Sequence, residues 1–188
     1  MQTKLLFGLA IFLCLLSGCG GPCSNVTCYN GGYCIDGDCD CQPGYGGDDC
    51  SDLLNPTGFR VNQIILRSFP LRDINGNYFD PGGYPDPFVS LSKDGTFTGF
   101  STGYKTDANP GTTCTYDNPG FPILLNSMTS RYDFNMYDYD FGNSSNDFMG
   151  GYFLILTQFY NRGSTKITMF NSNSWHRIEM DLVGEWIY

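Results

Sequence analysis

The sequence predicts an all-β fold, in which an eight-stranded antiparallel sandwich follows a small disulfide-rich module. Three observations support this prediction. Aromatic residues, which favour strands, make up 16% of the chain. Strand-like runs after residue 58 alternate with turns rich in Gly, Pro, Asn and Asp, and no long amphipathic helical pattern interrupts them. Six of the nine cysteines crowd into residues 23–50, which indicates a small module held by disulfides.

The strand-like runs begin at Phe59 and continue to the end of the chain. Their shortness and their turn-rich connections indicate an antiparallel sandwich. One run precedes the first aspartate-rich connection, which favours an order in which the C-terminal strand pairs beside the first strand. The runs cover residues 59–66, 86–92, 97–106, 112–116 with 122–126, 131–140, 151–159, 164–170 and 176–188.

The six clustered cysteines follow the spacing C-x4-C-x5-C-x4-C-x-C-x8-C. So short a stretch buries too little apolar surface to fold unaided, and we therefore interpret the cysteines as three disulfides. Zinc is the alternative, but it prefers paired C-x2-C spacing and a reducing compartment. The cysteines concerned are Cys23, Cys28, Cys34, Cys39, Cys41 and Cys50.

This spacing, together with the segment CDCQPGY at residues 39–45 and the cysteine at position 50, resembles an EGF-like module. The resemblance implies that the first cysteine pairs with the third, the second with the fourth and the fifth with the sixth. Residues 20–22 lack the acidic cluster that calcium-binding modules of this kind carry there, so we interpret the module as a spacer or a protein-contact surface. The implied pairs are Cys23–Cys34, Cys28–Cys39 and Cys41–Cys50.

The N-terminus has the pattern of a signal peptide. Lys4 precedes an apolar run, Leu5 to Leu16, that is too short for a comfortable transmembrane helix. The ending Leu-Ser-Gly-Cys at residues 16–19 resembles the bacterial lipobox, which implies cleavage before Cys19 and acylation of that cysteine. Gly20 after it implies sorting to the outer membrane in a bacterium with two membranes. The alternative is an ordinary secreted protein.

These patterns predict five segments: a signal peptide (1–18), a lipidated N-terminus and linker (19–22), the EGF-like module (23–50), a linker (51–56) and the sandwich (57–188). Cys114 lies within the sandwich, apart from the clustered cysteines. We interpret it as a buried residue of a strand, with pairing between chains as the alternative.

The net charge of −9 excludes nucleic-acid binding through phosphate contacts, because the chain has no basic run to offer. Only two of the nineteen acidic residues are glutamates. Many of the aspartates fall in two connections between strands, residues 73–86 and 138–147.

Those two connections have the composition of a calcium site. Calcium takes about six to eight oxygen ligands, which flexible loops supply through carboxylates, carbonyls and water. Asp138 and Asp140 stand two residues apart at a strand end, so their side chains point to the same side. Clustered carboxylates without a cation repel one another and raise their own pKa values. We therefore predict that a cation binds here.

The two connections also resemble those of conserved-2 (C2) domains of the protein-kinase-C and synaptotagmin type, over residues 57–188. Asp80-x5-Asp86-Pro-Phe-Val matches the first calcium loop of that family, and Asp138-x-Asp140 followed by Asn-Asp-Phe-Met-Gly at 146–150 matches the third. The gap between Asp140 and Asp147 is one residue longer than is usual, so Ser145 or Asn146 is an alternative to Asp147. The resemblance implies a C2-type sandwich and two calcium ions held by Asp80, Asp86, Asp138, Asp140 and Asp147, with backbone oxygens of Pro85 and Tyr139 in addition.

For function, the resemblance implies calcium-dependent docking to phospholipid membranes, with Tyr84 and Phe141 as aromatic loop tips. The alternative is a cell-surface adhesion or scaffold protein in which calcium is structural and the ligand is a protein or a glycan. We do not expect an enzyme, because the single histidine, His176, has no nucleophile pattern near it and no G-x-S-x-G or H-E-x-x-H motif occurs.

Overall fold

The structure, a computed structural model, describes residues 21–117, 119–142, 145–171 and 177–188. The predicted signal peptide, Cys19 and His176 lie outside the described residues. No helix among the described residues is long and apolar enough to cross a membrane. The chain divides into two compact units between Leu54 and Asn55.

The N-terminal unit is built from two short hairpins and three disulfides. Strands β1 (Tyr33–Ile35) and β2 (Asp38–Asp40) pair around a turn in which Asp36 and Gly37 both have positive φ, as a two-residue hairpin requires. Strand β3 (Tyr45–Gly46) pairs with β4 (Asp52–Leu53). The disulfides are Cys23–Cys34, Cys28–Cys39 and Cys41–Cys50, the three pairs that the EGF-like resemblance implies.

The second hairpin includes part of the predicted linker, residues 51–56. Asp52 and Leu53 form a strand with Tyr45–Gly46. The backbone N–H of Leu54 also bonds to the carbonyl of Gly44 at 3.0 Å. The module therefore continues past its last cysteine, because the chain after Cys50 turns back and pairs with β3.

The second unit is an antiparallel sandwich of two sheets. One sheet has the order β11-β10-β6-β7, and the other has the order β12-β13-β5, with β8 and β9 both paired to β5. The strands are β5 (Gly58–Ser68), β6 (Pro87–Lys93), β7 (Thr96–Ser101), β8 (Cys114–Tyr116), β9 (Ile123–Leu125), β10 (Arg131–Asp138), β11 (Asp147–Ile155), β12 (Lys166–Asn171) and β13 (Ile178–Ile187), and a 3-10 turn covers Leu156–Gln158.

The predicted all-β sandwich is confirmed. β8 pairs with Ile64–Leu66 and β9 pairs with Phe59–Val61, so these two short strands lie end to end along one edge of β5. Counted together as one position, they give the described part of the sandwich eight strand positions. β13 pairs with β5, as the order of the strand-like runs predicts. Cys114 is buried in β8.

The core lies between the sheets and follows the alternation of side chains along each strand. In β10 the side chains of Tyr132, Phe134 and Met136 are buried, while those between them face outward. They pack in one cluster with Ile64 and Leu182 from the opposite sheet. This rigid pair of sheets carries the connecting loops.

Leu124 and Leu125 test this alternation at adjacent positions of β9. Leu125 is fully buried, whereas Leu124 is 56% exposed. We expect Leu125→Ala to lower the free energy of unfolding in urea by about 2–5 kcal/mol, since it leaves a cavity. Leu124→Ala should change it by less than about 1 kcal/mol. Equal losses for the two variants would contradict the assigned faces.

Candidate metal centre

The strand register brings the aspartate-rich connections to one end of the sandwich. Asp138, the last residue of β10, pairs with Pro87 at the start of β6 and with Asp147 at the start of β11. The residues just before β6, just after β10 and just before β11 must therefore converge. A further connection, residues 102–113, joins β7 to β8 at the same end.

Asp138 occupies the centre of this end and is fully buried, with an exposed fraction of 0%. Its Oδ1 accepts the backbone N–H of Asp86 at 2.5 Å. Its Oδ2 has no hydrogen-bond partner among the described residues. A buried carboxylate oxygen without a partner is costly, and a cation bound beside it would offset that cost.

Three carboxylates meet at this point. Asp80, Asp138 and Asp140 each offer an oxygen, and these oxygens lie within 4.8 Å of one another. Oxygens that share a calcium ion at about 2.4 Å from it lie within about 5 Å of each other, so this spacing fits one ion. None of the salt bridges among the described residues involves these three aspartates.

The electrostatics of the cluster favour a cation. Burial, then the charges of Asp80, Asp140 and Asp86, raise the pKa of Asp138 to about 6, although the Asp86 N–H acts in the opposite direction. Burial and neighbouring carboxylates also raise the pKa of Asp80 and that of Asp140. A divalent cation would remove this repulsion.

Asp86 and Asp147 lie beside the cluster rather than in it. Asp86 acts on the pKa of each clustered aspartate, but its Oδ1 accepts the backbone N–H of Asp107 at 2.5 Å. Asp147 raises the pKa of Asp140 by its charge and lowers it through its backbone N–H. The structure therefore brings together three of the five predicted ligands and sets the other two at the margin.

The other predicted contributors lie on the same loops. The carbonyl of Pro85 accepts the N–H of Ala108 at 2.9 Å. Oδ1 of Asn146 accepts the N–H of Asp140 at 3.2 Å, and Ser145 is exposed. Phe141 is 88% exposed next to Asp140, and Tyr84 is exposed between Asp80 and Asp86. Tyr139 stacks on Tyr104 with ring centroids 4.3 Å apart.

Asp107 is a residue of this end that the sequence patterns did not identify. Its Oδ1 accepts the N–H of Tyr84 at 2.6 Å while its own N–H binds Asp86, so it joins the 102–113 connection to the loop before β6. Its charge also raises the pKa of Asp80. The signal in the sequence was a single Asp in the segment TDANPG, which fits neither of the aspartate motifs.

Comparison with known proteins gives similarity in structure alone. No protein-family model matches the chain, and no curated protein matches it. Among solved structures, the first (A) C2 domain of plant Extended Synaptotagmin 1 matches with 17% identity and a TM-score of 0.47, over 71% of this chain and 98% of that chain. Human GIVD cytosolic phospholipase A2 matches with 16% identity and a TM-score of 0.45, over 67% of this chain and 17% of that chain. The calcium-bound pair of C2 domains, A and B, of Extended-Synaptotagmin 2 matches with 15% identity and a TM-score of 0.39, over 70% of this chain and 46% of that chain.

The raised pKa of Asp138 predicts how the chain responds to pH in a calcium chelator. A carboxyl whose pKa is higher in the folded chain stabilises the fold fully below about pH 4, and this contribution is lost as the pH rises to about 6. We expect urea unfolding to show this loss in the wild-type chain and a smaller loss, due to Asp80 and Asp140, in Asp138→Asn. At neutral pH the variant should be more stable, by no more than about 3 kcal/mol.

Asp181 provides the matched control. It is also fully buried, but Arg67 contacts its Oδ2 at 2.6 Å and Thr168 donates to its Oδ1 at 2.7 Å. Burial alone would raise its pKa, but the hydrogen bonds from Thr168 and Arg67 and the nearby cations hold that pKa below its ordinary value. Asp181→Asn should lower stability by about 1–3 kcal/mol at neutral pH. The same sign for both variants would contradict the electrostatic account of the cluster.

Proposed function

We propose that this end of the sandwich binds calcium and, through it, docks the domain to phospholipid membranes. The observation that carries the proposal is the group of three carboxylates around the buried Asp138, whose Oδ2 has no partner among the described residues. Asp80, Asp138 and Asp140 would hold the first ion, and Asp140 with Asp147 a second. When bound, calcium supplies positive charge and open coordination positions that accept phosphate oxygens.

Exposed apolar side chains on the same loops support the choice of a membrane. Phe141 follows the ligand residue Asp140, and Tyr84 lies in the loop that carries Asp80. Without calcium, the acidic loops repel an anionic surface, because like charges face each other. With calcium, that repulsion is removed, and shallow insertion of Phe141 adds to binding. This is a binding role, and we propose no catalytic step.

We further propose that the protein is exported and anchored through acylated Cys19, with a bacterial outer membrane as its location. The signal pattern of residues 1–19 and the three disulfides of the N-terminal unit support this, since disulfides form in oxidising compartments. Free calcium outside cells suits sites with dissociation constants of about 10⁻⁴ to 10⁻³ M. The ion would then be a permanent cofactor rather than a signal.

Co-sedimentation with phosphatidylserine–phosphatidylcholine vesicles tests the membrane function. The chain should carry Cys19→Ser, so that no acyl group at that position contributes to binding. We expect sedimentation with calcium and little sedimentation with chelator. Phe141→Ala should weaken binding about threefold to tenfold, because partial burial of one aromatic ring contributes on the order of 1 kcal/mol.

Phe153→Ala is the matched control, since Phe153 is an exposed aromatic near the end of β11 that is remote from Asp147. It should bind vesicles as the unchanged chain does. Binding that persists in chelator, or that Phe141→Ala and Phe153→Ala weaken equally, would refute docking through the calcium loops.

Mass spectrometry of the N-terminal peptide from the native host tests the anchor. We expect the mature chain to begin at Cys19 and to carry the mass of a diacylglycerol group, with further acylation of its amino group. A mature chain that begins elsewhere, or an unmodified Cys19, would refute lipid anchoring while leaving the calcium site unaffected.

A further inference from the structure

A second concave site lies on the outer face of the four-stranded sheet. It is a shallow depression, largely open to solvent, with a volume of about 360 Å³, at the small end of the roughly 300–1,000 Å³ that is typical of ligand pockets. The residues that line it are Phe88, Ser90, Ser92, Phe97, Tyr137 and Asn146.

The strand register explains how these residues meet. Successive outward positions of β6 are Phe88, Ser90 and Ser92. Tyr137 of β10 lies opposite Phe88, and Phe97 of β7 lies opposite Ser92. Aromatic rings therefore stand at both ends of a polar floor that is about 13 Å long, since a strand rises about 3.3 Å per residue.

The aromatic rings of this face do not belong to the core. The neighbouring residues of β6, Val89 and Leu91, point inward and are buried between the sheets. Phe97 is 58% exposed, and the exposed Phe148 packs edge-on against Tyr137, which stacks with Phe88. Outward aromatic clusters of this kind on a sheet mark a binding surface.

The floor between the rings is small and polar. Among the described residues, neither the Ser90 nor the Ser92 hydroxyl takes part in a hydrogen bond within the protein. In the neighbouring pair of strands, β10 and β11, Asn135 lies opposite Gly151. A Cβ atom added at Gly151 would stand only 2.7 Å from Oδ1 of Asn135. Glycine at that position therefore leaves room for the amide beside the hydroxyls.

The uncharged, partly polar lining of the pocket limits which classes of ligand can bind there. None of the described residues that line the pocket is charged, and the acidic residue beyond them, Asp133, is paired with Arg131. Phosphate and sulfate groups would find no cation in the pocket. A lipid chain would leave the two serine hydroxyls without partners, which is unfavourable.

A neutral sugar ring matches both the aromatic rings and the uncharged polar floor of the pocket. Its faces carry C–H groups that pack on aromatic rings, and its edge carries hydroxyls that exchange hydrogen bonds with serine and asparagine. We propose that this pocket binds a neutral oligosaccharide, with Phe97 and Tyr137 stacking on sugar rings and Ser90, Ser92 and Asn146 bonding to hydroxyls. This function goes beyond calcium and membrane binding.

The pocket shares one wall with the aspartate loops. Asn146 lines it and also accepts the N–H of Asp140 through its Oδ1. Binding measurements therefore need calcium present, so that the loop that carries Asn146 is in its ligand-bound arrangement.

An oligosaccharide array tests the proposal. The full chain, in calcium, is applied to an array of neutral hexose and N-acetylhexosamine oligosaccharides together with sialylated and sulfated ones. We expect retention on neutral oligosaccharides, a loss of about tenfold in apparent affinity for Phe97→Ala, and a similar loss for Ser92→Val, which retains a β-branched side chain that suits a strand. Phe170→Ala, which is 46% exposed on the other sheet, should bind as the unchanged chain does.

Thermal unfolding of each variant verifies that the fold is retained, and calcium binding by each variant separates this site from the aspartate cluster. No retention on neutral oligosaccharides, equal retention by Phe97→Ala, or a preference for the sulfated and sialylated members would overturn the proposal. The calcium proposal fails separately, if calcium does not bind although the array result is positive.

Discussion

The arrangement of this end of the sandwich depends on the repulsion between the buried carboxylate of Asp138 and the partly exposed carboxylates around it. Among the described residues of the sandwich, two aspartates are fully buried, and the charges around them are opposite. Asp181 has two cations and a hydroxyl around it, and its pKa is lowered. Asp138 has carboxylates around it, one backbone N–H and an oxygen without a partner among the described residues, and its pKa is raised. The first arrangement is complete within the protein, whereas the second leaves a buried carboxylate oxygen that a bound cation would satisfy.

The loops are held by hydrogen bonds from backbone N–H groups in addition to the packing of side chains such as Tyr139 on Tyr104. The N–H of Asp86 binds Asp138, and the N–H of Tyr139 binds the carbonyl of Asp86 at 3.1 Å. Asp107 extends this network to a third loop. The first two bonds anchor the loop before β6 to the end of β10, and those of Asp107 join the 102–113 connection to that loop, so the carboxylates are held close together. Such preorganisation lowers the ordering cost of binding.

Much of this arrangement could be predicted from local sequence. Period-two alternation places the side chains of Asp138 and Asp140 on one side, and turn-rich spacing predicts the sandwich. What could not be predicted depends on contacts between distant segments. Asp107 contributes only because its loop folds against residues 84–86. The pairing of Asp52–Leu53 with β3, and the pocket between Phe97 and Tyr137, follow from register across strands, which no single run of residues encodes.

Isothermal titration calorimetry with calcium, compared with magnesium, tests the central claim that the aspartate cluster is a calcium site. We expect saturable calcium binding at neutral pH that is lost in the double variant Asp80→Asn with Asp138→Asn. Asp48→Asn, an exposed aspartate of the N-terminal unit, should leave it unchanged. Absence of saturable calcium binding, or calcium binding that the double variant retains, would contradict the account.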